Sequence, residues 1–244
     1  MAIEVKKMFL EFKDKVVLVT GAAGGIGQRI SERFSENEAV VYKTDIKEGD
    51  DPFFIQGDIC DTAFPEKCTR WILNRSGRID ILINNAGICP RTQLFDITSE
   101  EWHRVLEVNL TAVFSLSQSV MKIMIDNRAG TIINIASLAG KNGGIAVGAH
   151  YSASKAGVAC LTKTLARCGA PFGIRVNAVA PGVIDTEMTS SAGSVQAAAF
   201  NEAIPLKRIG TVDEIAGPIL FLASNLASYI TGAVLDINGG LLMD

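Results

Sequence analysis

The sequence predicts an α/β protein in which a parallel sheet is covered by helices on both faces. Two observations lead to this fold class. Short apolar runs recur along the 244 residues without the apolar–polar alternation of half-exposed strands. Segments of helical length separate these runs, as in repeated βαβ units. The alternation continues without a linker, a repeat or a low-complexity tract, which indicates one domain over residues 1–244. Residues 1–12 are interpreted as a flexible N-terminal tail.

Seven strands are predicted, at residues 16–20, 39–44, 53–56, 79–84, 130–137, 174–180 and 233–237. Helices are predicted over residues 24–37, 98–127 and 151–169, and from residue 211 onward. Thr98 and Thr211 each precede a glutamate by three residues, which is typical of a capping box. Only residues 45–52 link the second and third strands, and a parallel crossover normally needs more. Either this link lacks its helix, or the third strand is misplaced.

Composition and charge exclude several classes of function. The 23 Lys and Arg against 26 Asp and Glu give a net charge of -3, which provides no basic excess for a nucleic acid. Five cysteines without a C-x-x-C pair favour reduced thiols and a cytoplasmic location. Two histidines are too few for a His-based metal site, so no metal is expected. The uncharged stretch 215–235 is interrupted by turn residues, which argues against a membrane span.

A glycine-rich turn follows the first predicted strand and opens a helix. Its glycines Gly21, Gly25 and Gly27 have the spacing G-x-x-x-G-x-G, with Ile26 between the last two. Glycines permit close approach of the backbone to a pyrophosphate, and the helix N-terminus supplies free N–H groups. The same spacing also occurs in plain strand-to-helix turns.

Asp45 makes a nucleotide site the better interpretation of this turn. It ends the second strand, 24 residues after Gly21. A carboxylate there can accept hydrogen bonds from the adenosine ribose and repels a 2′-phosphate. The glycine turn contains no Arg or Lys, and Lys43 and Lys47 flank an acid. The sequence therefore predicts NAD in preference to NADP.

Tyr151 and Lys155 are four residues apart on a predicted helix, so they lie on one face. A free tyrosine has a pKa near 10, too high for a base at neutral pH. A nearby ammonium stabilises the phenolate, whereas burial alone acts in the opposite direction. Taken alone, such a pair is commonplace and is more typical of an amphipathic surface than of a catalytic site.

Further motifs accompany this pair in a defined order. They are the glycine turn at 20–27, Asp58 with Ile59, the run from Asn84 to Gly87, Asn109, Ser137, Asn177 with Pro181 and Gly182, and residues 238–240. In this order the chain resembles the short-chain dehydrogenase/reductase family in its compact single-domain form, over nearly its whole length. The resemblance implies a Rossmann-like doubly wound fold, a nicotinamide cofactor and a small-molecule alcohol or ketone substrate.

The resemblance also implies roles for individual residues. Tyr151 would be the general acid/base at the substrate oxygen, and Lys155 would lower its pKa and bind the nicotinamide ribose. Ser137 would hydrogen-bond the substrate, and Asn109 would hold a water of a proton relay. The other implied cofactor contacts are Asp58 and Ile59 at the adenine, Asn85, Ala86 and Gly87 at the ribose, and Pro181, Gly182, Ile184 and Thr186 at the nicotinamide.

The expected activity is NAD-dependent hydride transfer between nicotinamide and a secondary alcohol or ketone of polyol, sugar or hydroxyacyl type. Within the family the chain is similar to polyol dehydrogenases and to 3-oxoacyl-(acyl-carrier-protein) reductases. Arg128 stands where the reductases have an arginine for the carrier protein, but Phe172 stands where they often have a second. Asp45 also argues against the reductase, because biosynthetic reductases usually use NADPH. An NADPH-dependent reductase and a non-catalytic NAD-binding regulator remain the alternatives.

Substrate specificity is expected in residues 138–150 and 183–206, the second forming a mobile lid. The resemblance implies a homotetramer, with the helices at 99–127 and 151–169 at subunit contacts.

Four local expectations follow from departures from the family pattern and from isolated residues. Glu38 stands where a glycine commonly precedes the second strand, so Asn37 is expected to take the left-handed helix cap. Ser137 and Tyr151 are 14 residues apart, which predicts a bulge in the loop 141–148. His150 either borders the substrate or is a plain helix N-terminal residue, and Asp80 is interpreted as a structural cap.

Overall fold

The computed structural model describes residues 12–144, 146–190 and 194–243. Seven strands form one sheet in the order β3-β2-β1-β4-β5-β6-β7, and every neighbouring pair is parallel. The strand order reverses between β1 and β4, which confirms the doubly wound arrangement. The strands are β1 Val16–Thr20, β2 Val40–Asp45, β3 Phe54–Gln56, β4 Ile81–Asn84, β5 Gly130–Ile135, β6 Ile174–Pro181 and β7 Val234–Ile237.

Helices connect the strands and lie on both faces of the sheet. They are α1 Gly25–Glu36, α2 Phe64–Ser76, α3 Ser99–Leu106, α4 Ala112–Asn127, α5 Ala139–Asn142, α6 Ala149–Gly169, α7 Glu187–Ser190, α8 Ser194–Ala203 and α9 Val212–Ala223. Short 3₁₀ turns occur at Leu94–Asp96, Ala170–Phe172 and Asn225–Ala227. The capping box predicted at Thr211 is present, and Thr98 caps α3 by accepting from the Glu101 N–H.

Two apolar cores lie on the two faces of the sheet. On one face, α1 and α9 contribute buried side chains such as Ile30 and Ile219. On the other face, α2, α4 and α6 contribute Ile72, Val120 and Leu165. The strands between them are buried on both sides, which explains why their sequences are continuous apolar runs.

The link between β2 and β3 contains no helix, and all of its residues lie in the described part of the chain. β3 nevertheless pairs in parallel with β2, with Thr44 opposite Ile55. The third strand is therefore correctly placed. The eight-residue crossover uses bends and turns in place of a helix.

The end of α1 corrects one sequence-based expectation. Asn37 has φ -103°, whereas Glu38 takes the left-handed conformation with φ 61°. The Asn37 side chain donates to the Arg33 carbonyl at 2.8 Å, which holds Asn37 at the helix end. The Glu38 carbonyl oxygen accepts from the Asp14 N–H at 3.0 Å. This contact fixes the strained residue one position later than predicted.

The predicted N-terminal tail also needs correction at its last residue. Phe12 is only 2% exposed, and its ring packs edge-on against Phe34 at 5.0 Å. The expectation for residues 1–11 concerns positions outside the described residues.

Helices α3 and α4 are joined by a π-helical turn, Glu107–Thr111, into one run from Ser99 to Asn127. By length and composition alone this run could cross a membrane. Half of its most apolar window is buried within the fold, a property shared by core helices. The π turn carries Asn109 into the interior beside the carboxyl ends of the strands.

Candidate functional site

The glycine turn between β1 and α1 packs too closely for side chains at two of its positions. A Cβ on Gly27 would lie 2.1 Å from the Gly21 carbonyl oxygen. A Cβ on Gly21 would lie 2.8 Å from the Ala86 Cα, and Gly21 has φ +64°. No side chain caps α1, and its first turn contains no acidic residue. The helix N-terminus therefore offers free N–H groups to a phosphate.

The carboxyl ends of β1 and β4 are tied together beneath this turn. The Thr20 hydroxyl oxygen accepts from the N–H groups of Asn85 and Ala86, both at 3.0 Å. The Asn85 side chain donates to the carbonyl oxygens of Thr20 and Gly21, also at 3.0 Å. The Asn85 amide thus fixes the shape of the glycine turn.

Asp45 ends β2, as predicted, and faces the same space. Its carboxylate accepts from the N–H groups of Ala23 and Lys47, both at 3.1 Å. Lys43 is directed to Asp51, with a 2.6 Å separation between its Nζ and that carboxylate. Of the two lysines that flank Asp45 in the sequence, Lys43 and Lys47, only Lys47 lines the cavity.

A cavity of about 330 Å³ runs along the carboxyl ends of the strands. Most of the predicted site residues line it: Gly21, Gly25, Ile26, Asp45, Asn85, Ala86, Gly87, Ser137, Tyr151, Lys155, Pro181, Gly182, Ile184 and Thr186. Gly27 and Asn109 are predicted site residues that do not line the cavity. Parallel strands place their carboxyl ends at one edge, so the topology brings these distant residues together.

Asp58 and Ile59 lie outside the cavity lining. The Asp58 carboxylate accepts from the Cys60 N–H at 2.9 Å and lies 3.5 Å from the Arg104 guanidinium. Ile59 packs against the core on the α2 side of the sheet. Their adenine contacts therefore stay a prediction.

Ser137, Tyr151 and Lys155 meet at one end of the cavity. The Lys155 ammonium lies 5.8 Å from the centre of the Tyr151 ring. Its Nζ donates to the Ile135 carbonyl oxygen at 2.7 Å. The Ser137 hydroxyl acts to lower the pKa of the Tyr151 phenol, which places the two side chains side by side. The three polar groups therefore converge on the space above the end of β5.

Burial dominates the ionisation of this pair. It raises the pKa of Tyr151 to about 12, although the Ser137 hydrogen bond acts in the opposite direction. Burial also lowers the pKa of Lys155 to about 8. Desolvation of the phenolate thus acts against the lowering of the Tyr151 pKa that the family resemblance implies. The effect of Lys155 on the Tyr151 pKa stays a prediction.

Asn109 uses its whole amide to hold the backbone after β4. Its Oδ1 accepts from the Ile88 N–H and its Nδ2 donates to the Ile88 carbonyl oxygen, both at 2.9 Å. Nδ2 also donates to the Ser154 hydroxyl at 3.1 Å. A Cβ on Gly87 would lie 3.2 Å from Asn109 Oδ1 and 3.5 Å from Lys155 Nζ. Asn109 is therefore a neighbour of Lys155, and the relay water stays a prediction.

Several residues at the site were not predicted from the sequence. Ser154 donates to the Tyr151 carbonyl oxygen at 2.7 Å and links it to Asn109. Its position beside Lys155 in the Tyr-x-x-x-Lys segment is the signal that could have found it. The cavity is also lined by Ala23, Gly24, Lys47, Ile135, Ala136, Glu187 and Thr189. Among the described residues, no group of three or more His, Cys, Asp or Glu side chains could hold a metal.

Asp80 has the structural role that the sequence predicted, and the loop 141–148 contains a tight turn. The Asp80 carboxylate accepts from the Val16 N–H at 2.8 Å and joins β4 to the start of β1. The loop 141–148 contains two consecutive left-handed glycines, Gly143 and Gly144, with φ 84° and 71°. The Gly144 N–H donates to the Asn142 side chain at 2.9 Å, which stabilises the turn at these glycines. The bulge expected in this loop stays a prediction.

A protein-family model described as enoyl-(acyl carrier protein) reductase matches residues 21–242, nearly the entire chain. The chain belongs to the short-chain dehydrogenase/reductase family. This membership confirms the resemblance inferred from the motifs. Short-chain dehydrogenases/reductases are oxidoreductases that bind a nicotinamide cofactor, and the cavity described above suits such a group.

Named relatives within the family include both reductases and dehydrogenases. The 3-oxoacyl-[acyl-carrier-protein] reductase FabG of Escherichia coli is 40% identical over 96% of this chain and 100% of that protein. A glucose/ribitol short-chain dehydrogenase/reductase structure from Brucella melitensis superposes with a TM-score of 0.90 at 34% identity, covering 96% of this chain and 99% of that chain. The aldohexose dehydrogenase of Thermoplasma acidophilum superposes with a TM-score of 0.89 at 33% identity, covering 96% of both chains.

Proposed function

We propose that this family member is an NAD(H)-dependent oxidoreductase that transfers a hydride between nicotinamide and a secondary alcohol or ketone. The observation that carries the proposal is the shared cavity. The glycine turn and Asp45 line one part of it, and Ser137, Tyr151 and Lys155 line another. One extended cofactor could thus reach from the glycine turn to the polar side chains that would transfer protons. The proposed catalytic unit is the single domain over residues 1–244.

The cavity fits a dinucleotide in its chemistry. The first N–H groups of α1 would hold the pyrophosphate, which the closely packed glycines leave accessible. Asp45 would bind the adenosine ribose, and Ala86 and Gly87 the ribose nearer the strand ends. Pro181, Gly182, Ile184 and Thr186 would contact the nicotinamide end. When bound, this cofactor accepts or supplies the hydride.

Proton transfer is assigned to this chain's own side chains. Tyr151 donates a proton to the carbonyl oxygen during reduction and removes it from the hydroxyl during oxidation. Ser137 holds that oxygen by a second hydrogen bond. The Lys155 cation stabilises the phenolate once a substrate and cofactor exclude water from the cavity. Asn109 positions the backbone beside Lys155 and is the proposed holder of a relay water.

Preference for NAD rests on Asp45. A 2′-phosphate placed beside its carboxylate would be repelled, and Lys43 is occupied by Asp51. Lys47 lines the cavity, and its Nζ lies 4.0 Å from the Glu187 carboxylate. The local charge therefore favours ribose hydroxyls over a phosphate.

An NADPH-dependent 3-oxoacyl-(acyl-carrier-protein) reductase is the second candidate, favoured by the names of several relatives at about 40% identity. The structure offers little support for carrier-protein binding at Arg128 and Phe172. The Arg128 guanidinium donates to the Pro171 carbonyl oxygen at 3.3 Å, and Phe172 packs against the core. The aldohexose and glucose/ribitol dehydrogenases among the structural neighbours favour sugar or polyol substrates instead.

Assembly and location are further parts of the proposal. Phe114 of α4 is 45% exposed, while its neighbours Val113 and Leu116 are buried against the core. This second apolar face supports the homotetramer, with α4 and α6 at subunit contacts. We propose a cytoplasmic protein that binds neither nucleic acid nor membranes.

The segment 183–206 is proposed as the lid over the substrate. The Gly210 N–H donates to the Val183 carbonyl oxygen at 3.0 Å, and the Asp185 N–H donates to the Gly210 carbonyl oxygen at 2.8 Å. These bonds close the base of the segment that carries α7 and α8. Such an arrangement permits the segment to move about a fixed base.

The test is reduction of NAD⁺ and NADP⁺, followed by absorbance, against polyols, sugars, hydroxy acids and 3-hydroxyacyl thioesters. We expect turnover with NAD⁺ on one of the first three groups. Turnover with NADP⁺ alone on thioesters would favour the reductase. Tight NAD binding without turnover on any group would favour the non-catalytic regulator.

A further inference from the structure

His150 is completely buried immediately before Tyr151, and both of its ring nitrogens face defined groups. Its Nδ1 accepts from the Tyr151 backbone N–H at 2.9 Å. The same N–H also points to the Gly148 carbonyl oxygen at 3.1 Å. Because a backbone N–H can only donate, Nδ1 carries no proton, and the proton of the neutral ring lies on Nε2.

The Nε2 atom faces Glu101 of α3. It lies 3.4 Å from Glu101 Oε1, and it has no hydrogen-bond partner of good geometry among the described residues. That carboxylate oxygen also accepts from the Thr92 hydroxyl at 2.6 Å. The hydrogen bond from Thr92 and the contact with His150 lower the pKa of Glu101, although desolvation acts in the opposite direction, so the carboxylate is charged. A charged acceptor therefore faces the buried ring N–H.

The imidazole is also fixed sterically. A Cβ on Gly148 would lie 2.2 Å from His150 Cε1, so only glycine leaves room for the ring. The Gly148 N–H donates to the Pro90 carbonyl oxygen at 3.0 Å. The loop 88–92 is thus fastened at Ile88 by Asn109, at Pro90 by Gly148 and at Thr92 by Glu101.

We propose that His150 and Glu101 form a positioning pair for Tyr151. The pair couples the first turn of α6, which carries Tyr151, to the loop 88–92 and to α3. It acts through the Tyr151 backbone and touches neither cofactor nor substrate. The inference rests on the proposed function, because it assigns the pair to placing the hydroxyl that transfers the proton.

Three substitutions test separately the contact of His150 with the Tyr151 N–H and its contact with Glu101. In His150→Asn the shorter side chain retains an acceptor near the Nδ1 position and loses the contact with Glu101. In His150→Gln the longer side chain retains a donor toward Glu101 and loses the acceptor for the Tyr151 N–H. Glu101→Gln removes the charge and keeps an acceptor for Thr92. His103→Asn and Glu100→Gln, both exposed positions on α3, are the matched controls.

The first readout is independent of turnover. The chain contains three tyrosines, so ¹⁵N-tyrosine labelling gives three backbone amide signals, and Tyr151→Phe identifies the one from Tyr151. We expect His150→Gln to shift this signal and speed its hydrogen exchange. We expect His150→Asn to leave it near its original position, and the controls to leave it unchanged.

The second readout is steady-state kinetics. His150→Gln and Glu101→Gln should lower kcat about tenfold with little change in the KM for NAD⁺, because a displaced reacting group impairs chemistry more than binding. The double variant His150→Asn with Glu101→Gln should be no slower than His150→Asn alone, since both remove the same contact. Thermal unfolding of each variant verifies that it is folded.

An unmoved Tyr151 amide and unchanged kcat in a folded His150→Gln variant would overturn the inference and leave the proposed function intact. Additive losses in the double variant would also overturn it. If the wild-type protein shows no turnover, the proposed function fails, and the amide signal still decides whether His150 holds Tyr151.

Discussion

The Lys155 ammonium donates a 2.7 Å hydrogen bond to the carbonyl oxygen of Ile135, the last residue of β5. The lysine is 5% exposed, and no carboxylate pairs with it among the interactions of the described residues. A backbone carbonyl holds the cation in place without neutralising it. The charge thus remains directed at Tyr151, at a cost to the stability of the fold.

Lys155→Met should stabilise the protein at pH 7 while removing activity. Burial lowers the Lys155 pKa from 10.5 to about 8, so the folded state disfavours the charged form at pH 7. Between these two pKa values the unfolded chain binds more protons, and wild-type stability rises with pH. We expect a gain in the free energy of unfolding of about 1–3 kcal/mol at pH 7 that shrinks toward pH 10.

Thermal unfolding at pH 7 and pH 10 measures this gain. Lys163→Met, an exposed position on α6, is the control and should change Tm little at either pH. A lower Tm for Lys155→Met than for the control at pH 7 would show that the Ile135 contact outweighs the desolvation of the cation.

Asn109→Ala should destabilise the fold and reduce turnover together. The substitution leaves the partly buried N–H and carbonyl oxygen of Ile88 without their side-chain partner. Each unmet group costs about 1–3 kcal/mol. We expect Tm to fall by about 5–10 °C. Asn127→Ala, at the exposed end of α4, is the control, and an equal Tm for the two variants would contradict the assignment.

Gly27→Ala should disrupt the glycine turn, whereas Gly24→Ala should fold normally. The new Cβ at Gly27 would overlap the Gly21 carbonyl oxygen, while nothing lies within 4 Å of a Cβ at Gly24. Gly24 also has an extended backbone with φ -172°, which any residue adopts. Differential scanning calorimetry on both variants compares them directly. Similar unfolding temperatures would mean that the turn relaxes around the added methyl group.

Asp45→Ser should shift cofactor preference from NAD toward NADP. The variant removes the charge that repels a 2′-phosphate and weakens the contact with the ribose. We expect kcat/KM for NAD⁺ to fall about tenfold and that for NADP⁺ to rise. Asp50→Ser, an exposed position in the following link, is the control. An unchanged preference in Asp45→Ser would remove the basis for proposing NAD.

Much of the fold was predictable because its strands are buried on both faces. The apolar runs at 16–20 and 174–180 match β1 and β6 to within one residue. The glycine turn was predictable because only glycine fits where Gly27 meets Gly21. These features depend on residues that are close together in the sequence, so they can be predicted from the sequence alone.

Other features depend on contacts between distant segments and carry no local signal. The left-handed conformation of Glu38 is fixed by its backbone contact with Asp14, so the sequence pattern favoured Asn37 wrongly. The π turn that buries Asn109 and the pairing of His150 with Glu101 arise only when α3 packs beside α6. The raised pKa of Tyr151 likewise reflects the depth of its burial, which spacing along a helix does not encode.

The turnover of Tyr151→Phe, measured alongside its affinity for NAD⁺, tests whether the Tyr151 hydroxyl transfers the proton. The substitution removes one hydroxyl and keeps the ring that lines the cavity. We predict that kcat falls by at least about 10²-fold while the Kd for NAD⁺ changes little, because the hydroxyl acts on the substrate oxygen. Retention of most of the wild-type kcat would contradict the assignment of Tyr151 as the proton donor and acceptor.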